Sequence, residues 1–188
     1  DIAVKLIQLL DLQMAEPQLY GWFHILWLAI TVVGTVALCL TCKQGTEKQV
    51  QRVLLISTVV VAVFEVYKQI NFTFSVSNGA INADYQWYAF PFQFCDMPLY
   101  VRALALVFSK GRVHKSLCAF LSCYAVFAGV CVMLAPTTVF MSTIGINLQT
   151  MICHSIMITV GVYFLYTGYV LPNPKTLLMA VPVFAAGI

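Results

Sequence analysis

Charged residues are scarce in this chain of 188 residues: Asp, Glu, Lys and Arg make up 9% of it, whereas about 25% is usual in soluble proteins. Hydrophobic residues make up 61%. A soluble fold must cover its surface with charge, but a bilayer accepts apolar surface and needs charge only in the loops. The composition therefore excludes a soluble domain and predicts an integral membrane protein.

Other absences exclude further classes of protein. The net charge is only +3, and no basic stripe could follow a nucleic-acid backbone, so we expect no nucleic-acid partner. There is no glycine-rich phosphate loop, and we expect no cofactor. The N-terminus shows no basic segment followed by a small-residue cleavage site, so we expect no signal peptide and a first span that targets the chain itself.

The seven cysteines do not resemble a disulfide framework, because six of them lie in or beside apolar runs. Most are expected to pack as small apolar residues. Cys39-Leu-Thr-Cys42 has CxxC spacing but closes a hydrophobic run, with no second Cys or His pair at the distance of a zinc site. Redox or metal use of this pair is the minor alternative, and we predict no metal site.

Apolar runs recur along the chain, and about 20 residues suffice to cross about 30 Å of hydrocarbon. We predict an all-α, polytopic transmembrane bundle that forms a single domain over residues 1–188. It has five complete spans plus a truncated sixth, preceded by an interfacial amphipathic helix within the first twenty residues. The spans are residues 22–40, 53–68, 92–108, 117–134 and 148–170, followed by the incomplete run 177–188.

The short connectors differ in charge. The first, third and fifth carry basic residues, namely Lys43, Lys48, Arg52, Lys110, Arg112, Lys115 and Lys175. The second has only Lys68 and the fourth has none, so the odd connectors are predicted to face the cytoplasm and the N-terminus the extracytoplasmic or lumenal side. The second loop, rich in aromatic residues, is expected at the headgroup level, where Asn71-Phe-Thr73 is available as a glycosylation sequon.

Ionisable residues fall within the apolar spans, among them His24, Glu65, Asp96, Arg102 and His154. An ionisable group in lipid costs about 2.5 to 3.5 kcal/mol on insertion scales, so these side chains should face the bundle interior or an aqueous cleft. They are candidate site residues. The alternative is that they are satisfied polar pairs, for example Glu65 with Arg102 or Lys68, and that His24 is merely an interfacial residue.

Cys95 and His154 fall at comparable depths in the third and fifth spans, so they could meet. A thiol beside an imidazole can become a thiolate, attack an ester carbonyl and carry an acyl group, with the imidazole as base and then acid. Asp96 or Gln93 could orient the histidine or donate to the oxyanion. Alternatively, Cys95 packs like the other cysteines, because sequence alone does not place it against His154.

The stretch Phe90-Pro-Phe-Gln-Phe-Cys-Asp-Met-Pro-Leu99 resembles the proline, aromatic and cysteine motif of the YwaF-like integral membrane proteins, a bacterial family related to a vertebrate transmembrane acyltransferase. His24, Glu65, Ala135-Pro136 and His154 follow the family's order, and the resemblance covers most of the chain. One departure is Gln93, where many members have histidine, which puts a catalytic or ligand role at that position in doubt. Members normally complete six or more spans.

The resemblance implies transfer of a fatty acyl chain from a phospholipid to a lysophospholipid, with Cys95 as the acyl carrier and His154 as its partner. Membrane lipids would then be both solvent and substrate. Two other functions stay open: a transporter or binding protein for a small molecule or ion, with Glu65, Asp96, Arg102 and His154 lining a midplane cavity, or a structural subunit.

Overall fold

Four helices are long and apolar enough to cross a membrane in the computed structural model, which describes residues 2–186. They are α2 (Trp22–Thr41), α3 (Glu47–Asn71), a composite helix over Gly111–Leu134 and α7 (Ile144–Tyr166). Their apolar surfaces are the physical basis for placing the chain in a bilayer. The prediction of a polytopic helical membrane protein is confirmed at this level.

The third and sixth predicted spans form shorter helices. In the third, α4 (Met97–Val107) has 11 residues, which span about 16 Å at about 1.5 Å per residue. Turns replace the predicted helix over residues 92–96. The sixth, α8 (Pro174–Ala185), has 12 residues, and residues 187 and 188 of the predicted span lie outside the described part. The count of five complete spans plus a partial sixth is therefore not confirmed.

The composite helix contains a π-helical turn. It consists of α5 (Gly111–Phe120), a π turn over Leu121–Ala125 and α6 (Val126–Leu134). Gly161 of α7 packs directly against this turn, because a Cβ atom there would overlap the Leu121 carbonyl oxygen and Cγ2 of Val126. This close approach packs α7 tightly against the composite helix.

We call one end of the bundle the hairpin end. It carries α1 (Ile2–Leu10) and a hairpin of β1 (Phe74–Ser77) and β2 (Ala80–Ala83). Asn78 and Gly79 turn the hairpin with φ values of 53° and 76°, as a type I′ turn requires. The predicted N-terminal helix is thus present, and its place at the membrane interface stays a prediction.

We call the opposite end the basic end, made of the loops at residues 42–46, 108–110 and 167–173. Seven of the chain's ten Lys and Arg residues lie in or next to these loops: Lys43, Lys48, Arg52, Lys110, Arg112, Lys115 and Lys175. In the described part of the chain, Glu47 is the one acidic residue there. This asymmetry is the basis of the predicted orientation, which also stays a prediction.

Candidate functional site

A cavity of about 370 Å³ opens at the hairpin end between α3, α7 and the turn that precedes α4. We call it the hairpin-end cavity. Its polar and sulfur-containing lining comprises Lys68, Tyr88, Gln93, Cys95, Asp96, Thr138, Met141, Gln149, Thr150, Cys153 and His154. Two residues that sequence analysis paired, Cys95 and His154, therefore border the same space, although no hydrogen bond between them is found in the described residues.

Cys95 lies on the turn before α4, outside the four long helices. Its Sγ atom lies 3.6 Å from Gln93 Oε1 and 3.9 Å from Asp96 Oδ1, both of which are acceptors for the thiol proton. Burial, together with the negative charge of Asp96, raises the pKa of the thiol to about 11. At neutral pH the group is therefore a thiol, and its use as a nucleophile requires a base.

The imidazole of His154 has the hydrogen bonding that a base for this thiol would need. Its Nδ1 lies 2.7 Å from the Thr150 carbonyl oxygen, which can only accept, so in the neutral ring Nδ1 carries the proton and Nε2 the lone pair. Nε2 is buried and has no partner in the described residues. One turn of α7 thus fixes the tautomer, and the basic nitrogen keeps its lone pair without a hydrogen-bond partner in the described residues.

A buried ion cluster holds the Cys95 turn against α3. Lys68 Nζ lies 3.0 Å from Glu65 Oε2 and 3.0 Å from Asp96 Oδ1. Since Asp96 follows Cys95 directly, the cluster helps to fix the position of the thiol at the cavity. It also decides between the two pairings expected for Glu65: the partner is Lys68, and Arg102 takes no part.

Gln69, which sequence analysis did not single out, extends this cluster. Its Nε2 donates to Glu65 Oε1 at 2.7 Å and to the Ala89 carbonyl at 2.9 Å, while its Oε1 accepts from the Tyr85 hydroxyl at 2.8 Å. The segment from Tyr85 to Ala89 is thereby tied to α3. The spacing of Gln69 four residues after Glu65, on one helix face, was the available signal.

The amide of Gln93 is committed to the protein itself, because Nε2 donates to the carbonyl of Tyr88 and Oε1 lies 3.6 Å from the Cys95 sulfur. The side chain therefore orients the thiol, and one of the two N–H donors of Nε2 is in use. A role for Gln93 as an oxyanion donor would use the second N–H of Nε2.

The structure places Arg102 and His24 outside the lining of the hairpin-end cavity. Arg102 is buried on α4, and its Nε and Nη1 atoms have no partner in the described residues. His24 uses both ring nitrogens: Nδ1 accepts from the Tyr20 amide at 2.9 Å, and Nε2 lies 2.7 Å from the Met133 carbonyl. Its imidazole joins α2 to the end of α6.

Cys153 is a second thiol at the cavity, and its place next to His154 in the sequence was the signal for it. It accepts a hydrogen bond from Gln149 Nε2 at 3.6 Å. All seven cysteines are free thiols. No cluster of three or more potential metal-ligating side chains occurs within residues 2–186.

Four long apolar helices, two shorter ones and a polar cavity at one end define a multi-pass α-helical integral membrane protein. A sequence model of the TMEM164 family matches residues 19–188. The chain therefore belongs to the TMEM164 family. Searches of curated proteins and of solved structures each found no match.

Proposed function

We propose that the protein is a lipid-modifying acyltransferase or transacylase in which Cys95 carries the acyl group as a thioester and His154 is its base and acid. The observation that carries the proposal is that His154, whose buried Nε2 has no hydrogen-bond partner in the described residues, lines the same cavity as Cys95. The resemblance of the Cys95 segment to YwaF-like proteins also supports it.

In the first half-reaction, Nε2 of His154 takes the thiol proton as sulfur attacks the ester carbonyl of a phospholipid. The carbon–oxygen ester bond breaks, and the leaving lysophospholipid oxygen receives that proton from the imidazolium. In the second, Nε2 takes a proton from the hydroxyl of an acceptor lysophospholipid, whose oxygen attacks the thioester. The thiolate leaves and recovers the proton, so the enzyme is regenerated without any cofactor.

The surrounding residues have separate tasks in this proposal. Thr150 fixes the tautomer of His154 through its carbonyl. The cluster of Glu65, Lys68 and Asp96 holds the turn that presents the thiol. Lys68 also lines the cavity and is the one Lys or Arg in its described lining, so its ammonium is the candidate cation for a lipid phosphate or a developing oxyanion.

The test is transfer of a labelled acyl chain between phospholipid and lysophospholipid in proteoliposomes. Cys95→Ala and His154→Ala are expected to lower transfer by at least about a hundredfold. Cys131→Ala, which removes an exposed thiol on α6, should leave transfer unchanged. Cys95 should also carry an acyl label that hydroxylamine removes.

Cys153→Ala identifies the nucleophile. If it abolishes transfer while Cys95→Ala does not, the thioester is assigned to the wrong cysteine. If both thiol variants and His154→Ala retain full transfer, or if the wild type shows none, thioester chemistry is excluded. Uptake of a solute that depends on Glu65, in the absence of any transfer, would instead favour the transporter.

A further inference from the structure

A second cavity, of about 460 Å³, lies at the basic end, on the opposite side of the bundle from Cys95. We call it the basic-end cavity. It forms where the N-terminal turns of α5 and α8 meet the loop after α7, and its volume is within the range of about 300 to 1,000 Å³ found for small-molecule sites. Acyl transfer, as proposed above, makes no use of it.

Three lysines from two separate connectors line the basic-end cavity: Lys110 and Lys115 beside the start of α5, and Lys175 at the start of α8. None of the three forms a salt bridge within residues 2–186. Glu47 is the one acidic side chain in the lining, and it pairs with none of them. The cavity therefore gathers three positive charges around space that an anion could occupy.

The floor of the cavity is formed by polar side chains that are hydrogen-bonded to each other and to the backbone. His114 Nδ1 lies 3.0 Å from the Ala105 carbonyl oxygen, so Nε2 of the neutral ring is the acceptor. Nε2 accepts a hydrogen bond from the Tyr169 hydroxyl at 2.6 Å and lies 3.5 Å from Cys118 Sγ. Burial raises the pKa of Tyr169 to about 12, so its hydroxyl keeps the proton that it donates.

The start of α5 adds to the positive potential. Gly111 begins the helix, and no side chain caps its N-terminus. The first amide groups of a helix and its dipole favour a negative group, such as a phosphate. By contrast, the Asn173 side chain caps α8 by accepting from the Thr176 amide at 3.0 Å, so the two helix starts at this cavity differ.

We propose that the basic-end cavity binds a phosphate ester group, held by Lys110, Lys115 and Lys175 above the His114 and Tyr169 floor. The phosphate could belong to a soluble ester or to a lipid headgroup. The second source is included because an apolar groove between α4, α5 and α8 begins at Arg112 and Val113, on the neighbouring face of α5. This site is independent of the proposed acyl transfer.

The experiment compares two triple variants of the full chain. Lys110→Gln, Lys115→Gln and Lys175→Gln remove the three cavity charges. Lys43→Gln, Lys48→Gln and Arg52→Gln remove three charges from the same end but outside the cavity, and these side chains are exposed like the three cavity lysines. Both lose the same net charge, so effects on membrane topology and on general electrostatic attraction are matched.

Binding is measured at about 0.15 M salt, where the Debye length is about 8 Å and distant charges are screened. One arm uses radiolabelled glycerol 3-phosphate and inorganic phosphate in equilibrium dialysis with detergent-solubilised protein. The other uses native mass spectrometry to count phosphatidylglycerol molecules retained from mixed vesicles of phosphatidylglycerol and phosphatidylcholine.

We expect the cavity variant to bind about tenfold more weakly, roughly 1.4 kcal/mol, while the control changes less than about twofold. A selective loss in the dialysis arm identifies a soluble phosphate ester, and one in the lipid arm alone identifies a headgroup. Equal losses in both variants, or no binding in either arm, would overturn the proposal. Single Lys→Gln variants serve if the triple variant is not stable.

Discussion

The ammonium of Lys68 on α3 lies 3.0 Å from the carboxylate of Asp96, the residue that follows Cys95. This contact joins a long helix to the turn that carries the candidate nucleophile. Glu65 completes the cluster from one turn earlier on α3. Because all three side chains are buried, removing one partner leaves charge without compensation.

Lys68→Met should therefore destabilise the protein by about 3 to 5 kcal/mol, because it leaves two buried carboxylates together. Asp96→Asn should have a smaller effect, since Lys68 keeps its contact with Glu65. Thermal unfolding in detergent, followed by tryptophan fluorescence, measures both. A larger decrease in Tm for Asp96→Asn than for Lys68→Met would show that Lys68 is not the residue that holds the two carboxylates together.

His24→Phe should destabilise the protein while leaving the hairpin-end cavity lined as before. The ring keeps most of the packing volume, but the Tyr20 amide and the Met133 carbonyl lose their partners, at about 1 to 3 kcal/mol each. Tyr20→Phe is the control, because it removes only an exposed 3.3 Å bond to the Leu134 carbonyl. Equal Tm values for the two variants would contradict the role assigned to His24.

Gly161→Ala should disrupt the packing of α7 against the π turn, because the added Cβ would overlap the Leu121 carbonyl oxygen. Overpacking of this kind costs about 1 to 3 kcal/mol or more. Gly34→Ala, on α2, meets nothing within 4 Å and should be neutral or stabilising by up to about 1 kcal/mol. The two variants are compared by their yield of monodisperse protein and by their Tm. A Gly161→Ala variant with the yield and Tm of the wild type would mean that α7 does not pack against the π turn.

Alkylation of Cys95 by iodoacetamide should be slow at neutral pH and rise about tenfold per pH unit up to about pH 10. The sign follows from the raised pKa of about 11: at pH 8 only about one thiol in a thousand is ionised, against a sizeable fraction for a free cysteine of pKa about 8.5. Peptide mass spectrometry isolates the Cys95 signal, and a free cysteine peptide is the reference. A plateau below pH 8 would indicate a preformed thiolate.

Part of the fold could be predicted because helix length and apolar content are local properties. The helices around residues 22–40 and 53–68 follow from long, mostly apolar runs, and in the structure the second helix extends over residues 47–71. The third run was predicted as a span from residue 92, but the helix begins only at Met97. Its first residues instead form turns in which Phe92 stacks on Tyr100 at 5.2 Å, a contact that composition does not reveal.

The hairpin was predictable but was predicted only as a loop. Asn78-Gly79 is a strong signal for a type I′ turn, yet the segment was interpreted from its aromatic content. The π turn is different, because it depends on the contact between Gly161 and Leu121, which lie 40 residues apart in the chain. Nothing near Leu121 in the sequence marks it.

By itself, the sequence determined that lipid surrounds this protein and which polar residues are candidates for a functional site. Hydropathy and the cost of burying charge depend only on residue type. Only the tertiary structure decided which of those residues meet. It put Cys95 and His154 on one cavity, joined Glu65 to Lys68 and paired the Arg102 guanidinium with no carboxylate of residues 2–186. It also gathered Lys110, Lys115 and Lys175 at the basic end. Such contacts depend on how each helix is rotated about its axis and packed against the others. Residue type alone does not determine that arrangement.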